Sequence, residues 1–353
     1  MNSIIVYRNK IQKAGAETDK KMNADEKMNT DANTNIIDVW TITEALAITE
    51  KRIEQSLRSN SRGLSRLTNH LSMSKGKGIR AQVLLNSAMS RDGAVHNDAT
   101  KAAAAVELLH MATLVHDDVI DNASLRRGMP TLNTEFGNKE AVICGDYLLC
   151  LALGMISDFV FEDYAKYASL LPRMTKTLSK ICEGEGRQIL EIRNLNLSLL
   201  DYFRIISGKT AGLFFLSAYV GAVIGNCDDR EIKHLSRFGR YLGMLFQISD
   251  DVKDYSQSRA EAKKPVKHDL LQGIVTLPMI IALRKNSLLN PIAARIFNNN
   301  EPPALLIKEV IGAGAIDDTK RVAERYRQKA KKCISHIANE TKKNALMHIL
   351  EQV

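Results

Sequence analysis

The sequence predicts an all-α fold, and three observations carry that expectation. Ala, Leu and Ile are plentiful while aromatics make up 5 % of the 353 residues, a composition that favours helix. Beyond residue 37, long stretches carry apolar residues at helical spacing with few breakers. No segment alternates polar and apolar residues over a useful length, so essentially no sheet is expected. No internal repeat or Pro/Ser-rich linker divides the chain after residue 40, which predicts one all-helical domain over 38–353.

The elements follow in order. The first sixteen residues lack acids and carry Arg8, Lys10 and Lys13, faintly like a transit peptide. The polar, acid-containing ETDKKMNADEKMNTDANTN that follows argues against one, and residues 1–37 read as a disordered polar tail. ATKAAAAVELLHMATLVHDDVID (Ala99 to Asp121) reads as a long helix. LPRMTKTLSKICEGEGRQILEIRN, DYFRIISGKTAGLFFLSAYVGAVIG and REIKHLSRFGRYLGMLFQISDDVKDY each suit a helix, the middle one nearly all apolar and so buried. Loops are expected at SMSKGKG, NASLRRGMPT, Asn226 to Asp229 and SRAEAKKPVKHD.

Composition excludes several classes. Cys144, Cys150, Cys182, Cys227 and Cys333 show no CxxC spacing, which suits reduced thiols and a cytoplasmic protein. No apolar run reaches about 18 residues, so no spanning helix is expected. The net charge of +9 is scattered apart from KRVAERYRQKAKK (Lys320 to Lys332), which reads as a solvated helix face. Neither interleaved aromatics nor zinc spacing supports a nucleic-acid partner.

The chemistry lies in two acidic clusters. Asp117, Asp118 and Asp121 form DDxxD, and Asp117 and Asp121 fall one turn apart on one helix face. Unpaired carboxylates at that spacing repel, and a divalent cation removes the penalty. Mg²⁺ takes hard oxygen ligands, commonly one or two carboxylates plus substrate phosphates. The pattern recurs at Asp250, Asp251 and Asp254, again after a long apolar segment. Two such clusters roughly 130 residues apart meet only across a bundle. Nearby cations (Arg126 and Arg127, with Lys75, Lys77 and Arg80 in KGKGIR) point to a substrate with several phosphate oxygens. GKT at Gly208 to Thr210 is not a P-loop, because Phe203 stands where that motif needs glycine and no strand precedes it.

GKGIR, ELLHMATLVHDDVIDNASLRRGMPT, GDYLL, SGKTAGLF, GMLFQISDDVKDY and KPVKHDLLQGIVTLP together resemble the trans-polyprenyl diphosphate synthase family, in its bacterial medium/long-chain branch. The resemblance covers about residues 40 to 353. It implies an all-helical bundle around a deep central cavity, of isoprenoid synthase type. It also implies head-to-tail condensation of isopentenyl diphosphate with an allylic diphosphate, farnesyl or geranylgeranyl.

By position the resemblance makes Asp117, Asp118, Asp121, Asp250, Asp251 and Asp254 ligands of two or three Mg²⁺ ions. Arg126, Lys209, Thr210, Gln247 and Lys264 become contacts to the allylic diphosphate. Lys77, Arg80, His110 and Arg127 become the metal-free pocket for isopentenyl diphosphate. Asp117, Asp121, Asp250 and Lys209 carry catalysis in this reading, and His116 is only a helix residue beside the acids.

Three departures stand out. Gly78 and Ala81 replace a basic residue and a proline, Ile274 replaces a lysine that often helps bind diphosphate, and KKP replaces GKP.

The product is expected to grow past Thr113, Ala112 and Leu109. The small residues at 112 and 113 leave the tunnel open, and a turn rises about 5.4 Å, near one isoprene unit. A product of roughly six to eight units, centred on seven, is expected, and Ala112→Phe is expected to shorten it; the resemblance implies isoprenoid quinone side chains as its destination. The resemblance also implies a homodimer or a heterodimer with a small accessory subunit, with peripheral membrane contact for product release. Two rivals are a class I terpene synthase, which usually lacks the second DDxxD, and a non-catalytic subunit serving a catalytic partner.

Overall fold

The computed structural model describes residues 39–59, 61–73, 76–162, 164–256, 270, 272–299 and 302–353. The expected tail over 1–37, Lys75, Lys264 and the predicted loop SRAEAKKPVKHD lie outside the described residues. The first helices are α1 (Ile42–Leu57), α2 (Arg62–Ser72), α3 (Ile79–Ala88), α4 (Asn97–Ile120) and α5 (Leu132–Phe136). Next come α6 (Asn138–Glu162), α7 (Tyr164–Tyr167), α8 (Leu170–Leu190), α9 (Leu199–Lys209), α10 (Ala211–Ile224) and α11 (Asp229–Ser256). After the undescribed loop follow α12 (Leu277–Lys285), α13 (Leu289–Asn299), α14 (Ala304–Gly312), α15 (Ala315–Ile334) and α16 (Glu340–Glu351).

Local chemistry sets the ends. A capping box starts α1, with the Glu44 amide donating to Thr41 Oγ1 and the Thr41 amide donating to Glu44 Oε2. In α4 the run Ala102 to Ala105 is fully buried; its small side chains let α1, α3 and α6 pack closely around the helix. Helix α10, buried along most of its length, lies against α3, α8 and α11, and α15 packs along α11. The apolar core is thus spread around α4, α10 and α11, the helices that also carry the acidic clusters or sit between them.

Four details depart from expectation. DYFRIISGKTAGLFFLSAYVGAVIG is two helices, α9 and α10, bent by 46° at Thr210. Asn138–Asp158 within α6 is long and apolar enough to cross a membrane by length and composition; Asp146 interrupts its apolar run, which hid it from a count of consecutive apolar residues. Two short antiparallel pairs occur where no sheet was expected: β1 (Val39–Trp40) with β2 (Val95–His96), and β3 (Leu125–Arg126) with β4 (Met129–Pro130). The second is a hairpin whose two turn residues, Arg127 (φ +54°) and Gly128 (φ +80°), both have positive φ, as a type I′ turn requires. It lies inside NASLRRGMPT, which the sequence offers only as a loop.

Candidate active site

Helix periodicity builds one wall. Glu107, His110, Thr113 with Leu114, Asp117 and the C-cap Asp121 recur every three or four residues along α4, and all line a single cavity of about 940 Å³. The end of α11 builds the facing wall with Gln247, Asp250, Asp251 and Asp254, and Ile274 and Thr276 complete it. Asp117 and Asp250 therefore open onto one common hollow. The amide of Gln272 donates to the carbonyl of Asp121 at 2.6 Å, tying the segment before α12 to the end of α4 across 151 residues.

Close backbone contact places the lysine. A Cβ on Gly184 would fall 2.6 Å from the Lys209 backbone nitrogen, and one on Gly208 would fall 2.6 Å from the Lys180 carbonyl. Helices α8 and α9 touch there, and Lys209 Nζ meets Glu185 Oε2 at 2.7 Å. Burial lowers the Lys209 pKa, but Asp117, Glu185 and Asp121 outweigh it and hold the ammonium above the usual lysine range. Asp117 shows the converse. Burial, with Glu185 and Asp121 adding repulsion, pushes its carboxyl up to about 7 against the pull of Lys209 and Arg126.

The middle acids behave differently from their neighbours. Asp118 is buried and accepts a fork from Arg126, at 2.9 Å from Nε to each oxygen and 2.7 Å from Nη2. It does not line the main cavity. Asp251, also buried, accepts from the Tyr202 hydroxyl (2.6 Å), the Gln247 amide (3.0 Å) and the Leu277 backbone N–H (3.3 Å). Thr210 Oγ1 in turn donates to Gln247 Oε1 at 2.7 Å. Asp250 pairs with Lys253 at 3.0 Å.

Four cations join the acids in this lining. Lys77, Arg80, Arg126 and Arg127 line the same cavity, and His110 lies beside them. The Arg80 guanidinium stacks 4.6 Å above the Phe214 ring, and burial pulls its pKa down to about 10, against the charges of Glu107 and Asp250. It stays protonated near neutrality. Its buried Nε has no hydrogen-bond partner among the described residues, so a donor is left for a ligand. Glu107 Oε1 accepts the Ala81 backbone N–H at 2.9 Å, capping α3 from a neighbouring helix and fixing Arg80. Gly78, the departure noted above, begins α3 in the left-handed region at φ +58°, where a side chain would be strained.

Of the residues proposed for product length, Thr113 lines the cavity, with its hydroxyl satisfied by the His110 carbonyl at 2.8 Å. Ala112 and Leu109 are buried in the packing of α4 and are not in that lining. His116 bonds across to α6, 3.3 Å from the Val142 carbonyl and 3.4 Å from Asp146. The sequence reading does not single out Glu107, Glu185, Tyr202 or Gln272. Glu107 sits three residues before His110 on the same face, and Glu185 sits between two glycines in mid-helix, and both are legible signals. Tyr202 and Gln272 carry none, because their partners lie 49 and 151 residues away.

Among the described residues no three His, Cys, Asp or Glu side chains converge as a ready-made metal site. Facing carboxylates that do not converge by themselves suit a cation completed by ligand phosphates. Ile181, Leu213 and Phe246 add apolar surface to the same lining as the charged groups, which suits a molecule with a polyanionic head and a greasy body.

Comparison with known proteins agrees. Residues 61–311 match the sequence profile of the family described as Polyprenyl synthetase. The chain is 37 % identical over 292 residues to heptaprenyl diphosphate synthase component 2 of Bacillus subtilis, covering 82 % of this chain and 81 % of that protein. It is 32 % identical over 274 residues to octaprenyl diphosphate synthase of Haemophilus influenzae, covering 76 % of each. The crystal structure of heptaprenyl diphosphate synthase from Staphylococcus aureus superposes with a TM-score of 0.82 at 31 % identity, over 89 % of this chain and 98 % of that one. A polyprenyl synthase from Caulobacter crescentus, crystallised with calcium and isoprenyl diphosphate, gives 0.80 at 30 % identity, over 88 % and 94 %.

Proposed function

Since the chain belongs to the polyprenyl synthetase family and is a prenyltransferase, we propose that it extends farnesyl or geranylgeranyl diphosphate with isopentenyl diphosphate. The all-trans product has roughly six to eight isoprene units, centred on seven, by the rise of the helix that lines the tunnel. Its destination is the side chain of an isoprenoid quinone. The observation that carries this reading is the common cavity onto which Asp117, Asp121, Asp250 and Asp254 open together with Lys77, Arg80, Arg126, Arg127 and Lys209.

The chain's own groups divide the work. Arg126 and Lys209 hold phosphate oxygens of the allylic substrate. Lys77, Arg80, Arg127 and His110 hold the second diphosphate, so that the two organic groups meet between them. Ionisation separates a diphosphate from an allylic cation, and fixed charges in a water-poor site stabilise the leaving group far better than solvent does. Ile181, Ile205, Leu213 and Phe246 keep water from the cation. Asp117, Asp121, Asp250 and Asp254 would hold Mg²⁺, and a cation beside Asp117 would offset the burial that pushes its carboxyl up to about 7. When bound, Mg²⁺ supplies Lewis-acid neutralisation of the departing charge.

Assembly follows from α6. Val142 and Ile143 are exposed large apolar residues on that helix, Ile143 at 59 %, and we read this face as the seat of a second copy or of a small accessory subunit. The name "component 2" of the Bacillus relative supports the heteromeric form. A cytoplasmic enzyme touching the membrane to release its product is part of the same reading.

Mass analysis of products from the purified full chain with Mg²⁺, farnesyl diphosphate and labelled isopentenyl diphosphate tests it. A ladder ending near seven units is expected. No elongation, with and without candidate accessory subunits, refutes it.

A further inference from the structure

We infer that the exposed basic face shared by α11 and α15 docks the protein on a bilayer carrying anionic phospholipid. The inference rests on the prenyl-transfer reading for one point: a very apolar product gives the chain a reason to meet a membrane.

Helix spacing builds the face. On α11, Arg230, Lys233, Arg237 and Arg240 recur every three or four residues and fall within an arc of about 80°. All four are exposed. Helix α15 packs along α11 and adds the exposed Lys329 and Lys332. Ring contacts set the register between the two helices. The His234 and His336 rings stack at 4.3 Å with their planes 8° apart. Lys329 Nζ lies 4.9 Å from the centre of the Tyr326 ring and 5.8 Å from that of Tyr241, which stands one turn beyond Arg237.

Internal counterions are scarce there. Among the described residues, none of these six cations is held in an ion pair. Glu231, next to Arg230, is taken by the buried Lys342 at 2.9 Å, and Asp228 accepts the Glu231 backbone N–H at 2.7 Å. Neighbouring groups feel the positive field. Burial lowers the His234 pKa, and the charges of His336, Arg230, Arg237 and Lys233 lower it further. Arg237 and Lys332 both pull against the burial that raises the Cys333 thiol. Cations gathered against their own repulsion suit an external polyanion. The rings beneath them favour a lipid surface as that polyanion. Phe215, Tyr241 and Tyr326 are half-buried, with Arg240 lying 5.2 Å from the Phe215 ring centre and Lys329 over the two tyrosines. Charged heads above amphipathic rings match the boundary between headgroups and acyl chains. The face occupies the first half of α11, and Arg230 stands 20 residues from Asp250, about 30 Å along the helix. Docking there leaves the diphosphate-binding end of α11 clear of the lipid.

The test uses the full chain and needs no turnover. Cosedimentation is measured with vesicles of phosphatidylcholine, alone or mixed with phosphatidylglycerol. The parent is expected to bind the mixed vesicles and not the neutral ones, and about 1 M salt is expected to release it. Each Lys or Arg near an anionic surface is worth about fivefold, so Arg230→Gln, Lys233→Gln and Arg237→Gln combined are expected to weaken partition by about 100-fold. Lys51→Gln, Arg62→Gln and Lys176→Gln combined remove the same charge from exposed positions on α1, α2 and α8. They are expected to weaken it by less than about fivefold. Should the first triple variant lose its helical signal, Lys329→Gln with Lys332→Gln reads the same face, with about 25-fold expected. Equal weakening by the two triple variants overturns the inference, because net charge and not this face then governs binding. A parent that ignores the mixed vesicles, or that binds single-stranded RNA more tightly than them, also overturns it. A chain that binds the vesicles as stated but condenses nothing refutes the prenyl-transfer reading and leaves the docking face standing.

Discussion

Lys209 Nζ lies 2.7 Å from Glu185 Oε2, an ion pair made possible by two glycines, Gly184 and Gly208, that let α8 and α9 touch. Asp117 feels both charges of the pair, and Lys209 and Asp117 line the cavity together. Lys209→Ala is expected to lower kcat/KM by about 100-fold, and Glu185→Gln by about tenfold, the span expected for hydrogen bonds to charged groups. Steady-state kinetics with varied allylic diphosphate checks the order. A Glu185→Gln enzyme as impaired as Lys209→Ala would mean that Glu185 does more than hold the lysine.

Asp117 links pH to stability. Its carboxyl is raised to about 7 by burial, Glu185 and Asp121, against an ordinary value of 3.8. The folded state therefore binds the extra proton between those values, so this group's contribution is full below about 4 and is lost as pH rises through about 7. Asp117→Asn is expected to melt higher than the parent at pH 8, with the gap closing below pH 4. Thermal unfolding in chelator across that range measures it; an Asn variant that is less stable at pH 8 contradicts the assignment.

Product length should answer to Thr113 before Ala112. Thr113 is on the cavity wall, so Thr113→Phe puts a ring directly in the path and is expected to shorten the product by one or more units, a unit matching about one helical turn. Ala112 is 4 % exposed and sits behind that wall. Ala112→Phe is expected to shorten the product less and to cost about 1–3 kcal/mol in overpacking. Chromatography of dephosphorylated products, paired with denaturant unfolding, reads both effects.

Association should depend on the exposed face of α6. Ile143→Asp puts a charge where a partner's apolar surface is expected, and it should shift the mass in sedimentation from assembled to single chain while leaving the helical signal intact. An unchanged sedimentation mass places the interface elsewhere.

The sequence made the helical character legible because apolar spacing and the scarcity of breakers are local signals. It also made both acidic clusters and most of the cations legible, since their residues stand in short motifs: Asp117 and Asp121 on one face of α4, and Arg126 and Arg127 just beyond. What escaped was set by backbone geometry or distance. The bend at Thr210 falls in SGKTAG, whose glycines and polar residues read as part of one continuous helix. The hairpin that carries Arg126 depends on the positive φ of Arg127, which is unusual for a residue with a side chain. The separate fates of neighbouring acids were also hidden. Asp117 and Asp118 are adjacent and chemically identical, and only the fold shows that one faces the cavity while the other grips an arginine. Gln272 and Tyr202 join the site through contacts that no local pattern announces.

The central claim is that the two acidic clusters serve one diphosphate. Calorimetric binding of inorganic diphosphate with Mg²⁺ to the parent, Asp117→Asn, Asp250→Asn and the double variant tests this most directly. A shared ligand predicts a coupling of at least about 0.5 kcal/mol, with the double variant losing clearly less than the two single losses combined. Strictly additive losses, or two independent binding events in the parent, would contradict it.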